Sequence, residues 1–323
     1  MSGTIIARAP TRLDFGGGWT DVPPYVEREG GAVCNLAIAR HATATVTLGA
    51  RTTFSTPSGD PLVDAAIRRA SLPNARVTLA SNYPVGAGLG GSSAAGVAIA
   101  GALAVARGAP LLPHALAALS RATEVDELGI AGGYQDHYAA AFGGALLLTL
   151  SGDHVDVDRI PLDAHIQDAL ARRLVVVYTG ESRVSGETIR AVRDAYLAGD
   201  ARTVNALQRM KALAIEMAAA LRARDVDTLG ALIAEHWTHQ RSLHPAIPTE
   251  RIDSIIALAA KSGAGGAKAL GASGGGCVLA VANEGREGEL RRALGTLGEL
   301  LHFTIDTAGF TVISRSLVSA GAT

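Results

Sequence analysis

The sequence predicts an α+β protein. Strand-like stretches come in consecutive groups, with 4–15 and 31–48 both ahead of any long helix, and they do not alternate regularly with helices. A mostly helical block then runs from Ser185 to about Ala259. Hydrophobic residues make up 48% of the 323, which suffices for the cores of two domains and excludes a disordered chain.

The elements follow in order. Residues 4–15 (TIIARAPTRLDF) and 31–48 cluster β-formers and read as strands, joined by the Gly/Pro-punctuated loop GGGWTDVPPYVEREGG. Residues 76–80 (RVTLA) make a short strand. The glycine-rich stretch Tyr83–Ala95 follows and opens an Ala-rich run that reaches Arg107 and has helix length. Residues 113–128 read as a helix, GIAGG breaks it, and YQDHYAAAF resumes it. Residues 144–150 and 174–178 look like strands. Between them SGDHVDVDRIPLDAH is polar, which puts a boundary near 151–172 and divides the chain into 1–165 and 166–323. A second glycine-rich segment, GAGGAKALGASGGG, leads into the strand CVLAVA; 287–300 reads as a helix and 302–314 as a closing strand.

The loop before the Ala-rich helix carries the most chemistry. A glycine-rich loop feeding a helix N-terminus presents unpaired N–H groups and the positive end of the dipole to an anion. Gly86, Gly88 and Gly91 satisfy G-x-G-x-x-G. A dinucleotide unit also needs an acid about 20 residues on for the ribose. Between Asp64 and Glu124 there is no Asp or Glu. The P-loop pattern fails as well, because no Lys precedes Ser92 or Ser93. An acid-free loop suits the phosphates of a nucleotide; tight helix–strand packing is the other use of such glycines. Ser92 and Ser93 could bind Mg²⁺ or cap the helix.

Three further groups stand out. Arg12, Asp14 and Asp21 surround Gly16-Gly17-Gly18-Trp19, a loop that suits either close approach to a polar ligand or a surface turn. Glu124, Glu127 and Asp136 bracket the GIAGG break; Glu124 could aim at a metal and Asp136 could act as a base, although each alone also reads as a solvated surface carboxylate. Glu235-His236-Trp237-Thr238-His239 lacks the H-E-x-x-H order of a zinc site, and Trp237 reads as core.

A net charge of −1 implies no general attraction to nucleic acid or membranes. MSGTIIARAPTR shows no signal-peptide pattern, and the run after Ser93 is too short for a membrane span. Cys34 and Cys277 sit in apolar contexts without C-x-x-C spacing, so both are expected as core thiols in a reducing, cytoplasmic setting.

Together these pieces resemble the GHMP kinase superfamily. RAPTRLDFGGGWTD, PVGAGLGGSSAA and ALGASGGGCVLAV look like its three motifs, in the family's order. GGWTDVPPYVEREGGAVCNLAI, LGIAGGYQDHYAAAFGG, VVYTGESRVSGETI and LIAEHWTHQRSLHPAI look most like the branch of L-fucose kinases and D-glycero-D-manno-heptose 7-phosphate kinases. The resemblance implies an N-terminal domain like ribosomal protein S5 domain 2, a ferredoxin-like C-terminal domain, and a site between them that phosphorylates the anomeric hydroxyl of a small-molecule sugar with ATP and Mg²⁺. It implies Asp136 as base with Arg12 beside it. ATP is expected on Pro84, Gly86, Gly88, Leu89, Gly90, Gly91, Ser92 and Ser93. The implied metal ligands are Ser92, Ser93 and Glu124. The sugar is expected on Asp14, Gly17, Gly18, Trp19, Asp21, Gly133, Arg183, Gly274 and Gly275. His137 stands where relatives often have Gln. A heptose 7-phosphate needs basic groups at the far end of the pocket, for which Arg183, Lys211 and Arg241 are candidates; L-fucose or another neutral hexose does not. A nucleotide-binding regulator without turnover is the alternative of another class, and a dehydrogenase is disfavoured by the missing ribose acid.

Overall fold

The computed structural model describes residues 2–49, 58–181 and 186–318. The chain begins with β1 (Ser2–Gly16), α1 (Tyr25–Glu29) and β2 (Gly31–Leu48), then α2 (Pro61–Ala70), β3 (Ala75–Ser81), α3 (Gly91–Ala106) and α4 (Pro113–Arg121). A π-helical stretch, Ala122–Glu127, precedes α5 (Gln135–Phe142), β4 (Ala145–Ser151), β5 (His154–Ile160), α6 (Ala164–Arg173) and β6 (Leu174–Tyr178). Four helices follow, α7 (Gly186–Leu197), α8 (Ala201–Arg222), α9 (Val226–Ser242) and α10 (Glu250–Lys261). The chain closes with β7 (Ala264–Ala269), β8 (Cys277–Ala282), α11 (Glu287–Leu294), β9 (Glu299–Leu300) and β10 (Thr311–Val318).

Two sheets organise these elements. The first runs β10-β1-β2-β4-β5, with β3 also paired to β2; the second runs β7-β8-β6-β9. All of the strand pairings are antiparallel, as a consecutive-strand pattern implies. One face of the first sheet packs on α2, α3, α4 and α5 through residues such as Val46, Val97, Leu103 and Leu148. Its other face, with Leu13, Phe15, Leu36 and Ile38, shares a core with Met217 and Leu221 of α8 and with Val176, Leu279 and Val281 of the second sheet. The two halves are therefore cemented by a common apolar layer, and their polar loops meet at its rim.

Several elements differ from the sequence expectation. The polar 151–172 stretch folds into β5 and α6. Val155 and Ile160 turn inward, and Asp163 caps α6 by accepting from the Ile166 N–H at 3.0 Å. The boundary at 165/166 thus falls within α6, and the last strand, β10, returns to the first sheet and pairs with β1, whose edge would otherwise be open. The closing strand lies at Thr311–Val318, later than the expected 302–314, and the expected 287–300 helix stops at Leu294. Within the strand Ala264–Ala269 glycine is required by close packing: a Cβ on Gly266 would lie 1.8 Å from the Gly230 carbonyl of α9. Among the described residues, no helix is long and apolar enough to cross a membrane. Cys34 and Cys277 are buried free thiols.

Candidate active site

The two halves meet around a cavity of about 460 Å³. The first half contributes Arg12, Asp14, Gly18, Trp19, Asp21, Glu124, Gly133, Asp136 and the loop Gly88–Ser93; the second contributes Gly186, Ile189, Arg190, Gly271 and Ala272. A second, more apolar pocket of about 370 Å³ flanks the other side of the loop, against Leu79, Tyr83, Pro84, Val85, Gly86 and Leu89. Every expected nucleotide-loop residue thus lines one pocket or the other.

The loop is held from both sides. Arg12 donates its backbone N–H to Leu89 O at 3.0 Å and its Nη1 to Gly88 O at 2.7 Å. Across the interface the Cys277 N–H donates to Ala87 O at 2.9 Å. Gly90, with φ 74°, is the N-cap of α3. No side chain caps the helix, so its first N–H groups have no side-chain acceptor, and Ser92 and Ser93 are not caps. Both hydroxyls instead donate to Glu124, Ser92 to Oε1 and Ser93 to Oε2 at 2.9 Å. Glu124 reaches them from the π-helical stretch, a distortion that often marks a functional position. Burial raises its pKa, and the serine hydrogen bonds oppose that rise.

Asp136 lies in the first turn of α5, where its Oδ1 accepts from Arg12 Nε at 2.7 Å. A Cβ on Gly90 would lie 2.9 Å from Asp136 Cγ, so the loop and the carboxylate touch. Arg12 is 3% exposed while the Asp136 side chain is 26% exposed, which leaves the carboxylate open to the cavity on one side. Asp21 is buried. Its Oδ2 accepts from the N–H groups of Tyr134 and Gln135, while Oδ1 has no partner. Burial pushes its pKa up to about 6 against the pull of those two bonds.

Residues without a site role in the sequence, Lys268 and Gln240 among them, support this shell together with His236 and His137. Lys268 of β7 is fully buried and donates to Asp14 Oδ2 at 2.9 Å; burial lowers its pKa and Asp14 opposes the fall. His236 Nε2 accepts from the Gly17 N–H at 2.9 Å, and burial holds its ring neutral. His236 thus serves the first glycine loop, and Trp237 is core as expected. Gln240 Nε2 donates to Gly271 O and Ser273 Oγ. His137 is buried, with its pKa pushed down to about 3 by burial and by Arg121. Its Nε2 lies 3.3 Å from Glu124 Oε2 and its Nδ1 3.0 Å from Ser120 Oγ, so this departure from the family pattern touches the serine–carboxylate group.

Other expected residues lie elsewhere. Gly17 backs the cavity through His236 without lining it. Gly274 and Gly275 do not line it either: the Gly274 N–H donates to Ile247 O, and Gly275 packs on Glu181, whose carbonyl accepts the Gly276 N–H. Gly271 and Ala272, a few residues earlier, take that wall because β7 delivers them there. Glu127 pairs with Arg68 and Arg69, away from the site. Lys211 donates to Glu29 O, and Arg241 pairs with Asp253 at 3.0 Å, so neither is free for a ligand. Arg183 lies outside the described residues.

The chain is similar to known proteins along its whole length. The model for the N-terminal domain of GHMP kinases matches residues 61–144, and that for their C-terminal domain matches 217–300. D-glycero-alpha-D-manno-heptose 7-phosphate kinase of Campylobacter jejuni is 26% identical over 90% of this chain and 93% of its own length. The bifunctional fucokinase/GDP-fucose pyrophosphorylase of Arabidopsis thaliana is 27% identical over 88% of this chain, which spans 30% of that longer protein. The crystal structure of a D-glycero-D-manno-heptose 1-phosphate kinase from Bacteroides thetaiotaomicron superposes with a TM-score of 0.78, at 26% identity over 98% of this chain and 100% of that one. With both family domains matched and the fold shared end to end, the chain belongs to the GHMP kinases and carries the GHMP kinase fold.

Proposed function

We propose that this protein is a sugar 1-kinase, transferring the terminal phosphoryl group of ATP to the anomeric hydroxyl of a reducing sugar, a heptose 7-phosphate or a close relative. The observation that carries this reading is the contact of Asp136 with the glycine loop. Arg12 grips the loop carbonyl and the carboxylate together, so the group that would meet an acceptor hydroxyl and the loop that would meet phosphates are tied to one side chain. Phosphoryl transfer asks for this kind of positioning more than for covalent chemistry.

The roles follow from the surroundings. The pocket at Leu79, Tyr83, Pro84 and Val85 would take the base of ATP, and the uncapped first turn of α3 its phosphates. Ser92, Ser93 and Glu124 form the all-oxygen set that suits Mg²⁺, whose charge offsets that on the transferring phosphoryl oxygens. Asp21 Oδ1 and Asp14 Oδ1, buried and unpartnered, would accept sugar hydroxyls. Asp136 would accept the proton of the attacking hydroxyl; a carboxylate is a weak base and suits an anomeric hydroxyl, which the ring oxygen acidifies. The buried free thiols Cys34 and Cys277 are in keeping with a cytoplasmic setting for this reaction.

Asp136→Asn tests the proposal. The general-base role is worth about 10²–10⁴-fold, so kcat should fall at least tenfold with the melting temperature retained. Turnover near that of the wild type would remove Asp136 from the base role. A wild-type chain that binds ATP and turns over no sugar would favour a regulator.

A further inference from the structure

The charged groups of the cavity are nearly all spoken for. Asp136 is held by Arg12, Asp14 by Lys268, Glu124 by two serines, and Asp21 by two backbone N–H groups. Among the described lining residues, Arg190 is the one cation that meets no described carboxylate. It is solvent-exposed and sits in the second turn of α7, one residue from Ile189, which lines the same cavity.

The placement of α7 says which ligand this guanidinium serves. The helix packs against the loop after β1: Val192 and Tyr196 share a core with Trp19 and Tyr25, and the rings of Tyr25 and Tyr196 are 5.3 Å apart. It therefore stands over the Trp19–Asp21 side of the cavity. The phosphate loop is held by Arg12 and by Cys277 at the start of β8. A nucleotide seated on that loop leaves Arg190 at the acceptor's side.

A neutral sugar offers hydroxyls, which the open oxygens of Asp14 and Asp21 match. It offers nothing that needs an unpaired guanidinium. A phosphate monoester does, because its oxygens fit the planar fork of N–H donors. We infer that Arg190 is the specificity-determining residue that takes a phosphate monoester carried by the acceptor sugar, remote from the hydroxyl being phosphorylated. This inference rests on the sugar kinase reading above, and it makes a sugar phosphate the substrate class.

The test uses the full-length protein, heptose 7-phosphate and the corresponding free heptose, in wild type, Arg190→Ala and Arg190→Lys. A hydrogen bond to a charged group is worth about 10- to 100-fold. The ratio of kcat/KM for the phosphorylated over the free sugar should fall by that factor in R190A, mostly through KM, and recover in part in R190K. An unchanged ratio overturns the assignment, as does a loss that appears in the KM for ATP instead. Wild-type protein that prefers the free heptose overturns it while leaving the kinase reading intact. Protein that phosphorylates neither sugar overturns both.

Discussion

Lys268→Met removes the cation from a fully buried pair and leaves the Asp14 carboxylate in place. Asp14 is 2% exposed, its Oδ1 already lacks a partner, and Lys268 Nζ at 2.9 Å is the donor to its Oδ2. Breaking a buried ion pair from one side costs about 3–5 kcal/mol, because the orphaned charge stays out of water. That is a large fraction of the roughly 5–15 kcal/mol that holds a domain together. The buried Trp19 and Trp237 make fluorescence-monitored urea unfolding a suitable assay. With a slope of about 2–3 kcal/mol per molar urea, the midpoint should drop by roughly 1–2.5 M. Asp14→Asn combined with K268M removes both charges and should regain more than half of the loss. A single-mutant cost below about 1 kcal/mol, or a double mutant no better than K268M, would refute the view that this pair clamps the two sheets at the site.

Asp21 and Gly90 give two further tests. The folded pKa of Asp21, about 6 against an ordinary 3.8, means that its ionisation opposes folding above pH 6 and that the penalty fades as pH falls towards 4. Relative to Asp21→Asn, the wild type should therefore gain about 1 kcal/mol of stability between pH 7 and pH 5, measured as paired unfolding free energies; no change, or a gain in the opposite direction, would contradict the buried-carboxylate account. Gly90→Ala places a Cβ 2.9 Å from Asp136 Cγ at a φ of 74°. It should cost about 1 kcal/mol of stability for the left-handed backbone and lower kcat by displacing Asp136, with wild-type kcat as the contradicting result.

Much of the site can be read in the chain because its parts are local. The loop 84–93 is one continuous segment, and Arg12, Asp21, Glu124 and Asp136 each lie within a few residues of a glycine-rich break in the sequence. What cannot be read is support from a distance. Lys268 lies in the second glycine-rich segment, where nothing local marks it, and it meets Asp14 across 254 positions only because the second sheet shares a core with the first. His236 reaches Gly17 across 219 positions, and no local pattern encodes that contact. Gly274 and Gly275 are expected at the sugar on the family resemblance alone, and a glycine motif serves close packing as readily as a ligand; here it is Ile247 and Glu181 that approach. In the fold, β5 and α6 hide in a polar stretch because each buries only one face, so DHVDVDRI reads as linker. The Asp163 cap was the available sign of α6.

The central claim is that this cleft moves a phosphoryl group from ATP to the anomeric oxygen of a sugar. Its most direct test is ³¹P NMR of the product formed by the wild-type protein with ATP, Mg²⁺ and heptose 7-phosphate, with the free heptose and L-fucose run alongside. The account predicts a new resonance coupled to the anomeric proton, strongest with the phosphorylated heptose. A new phosphate at any other carbon, or ATP consumed with no sugar phosphate formed, would contradict it.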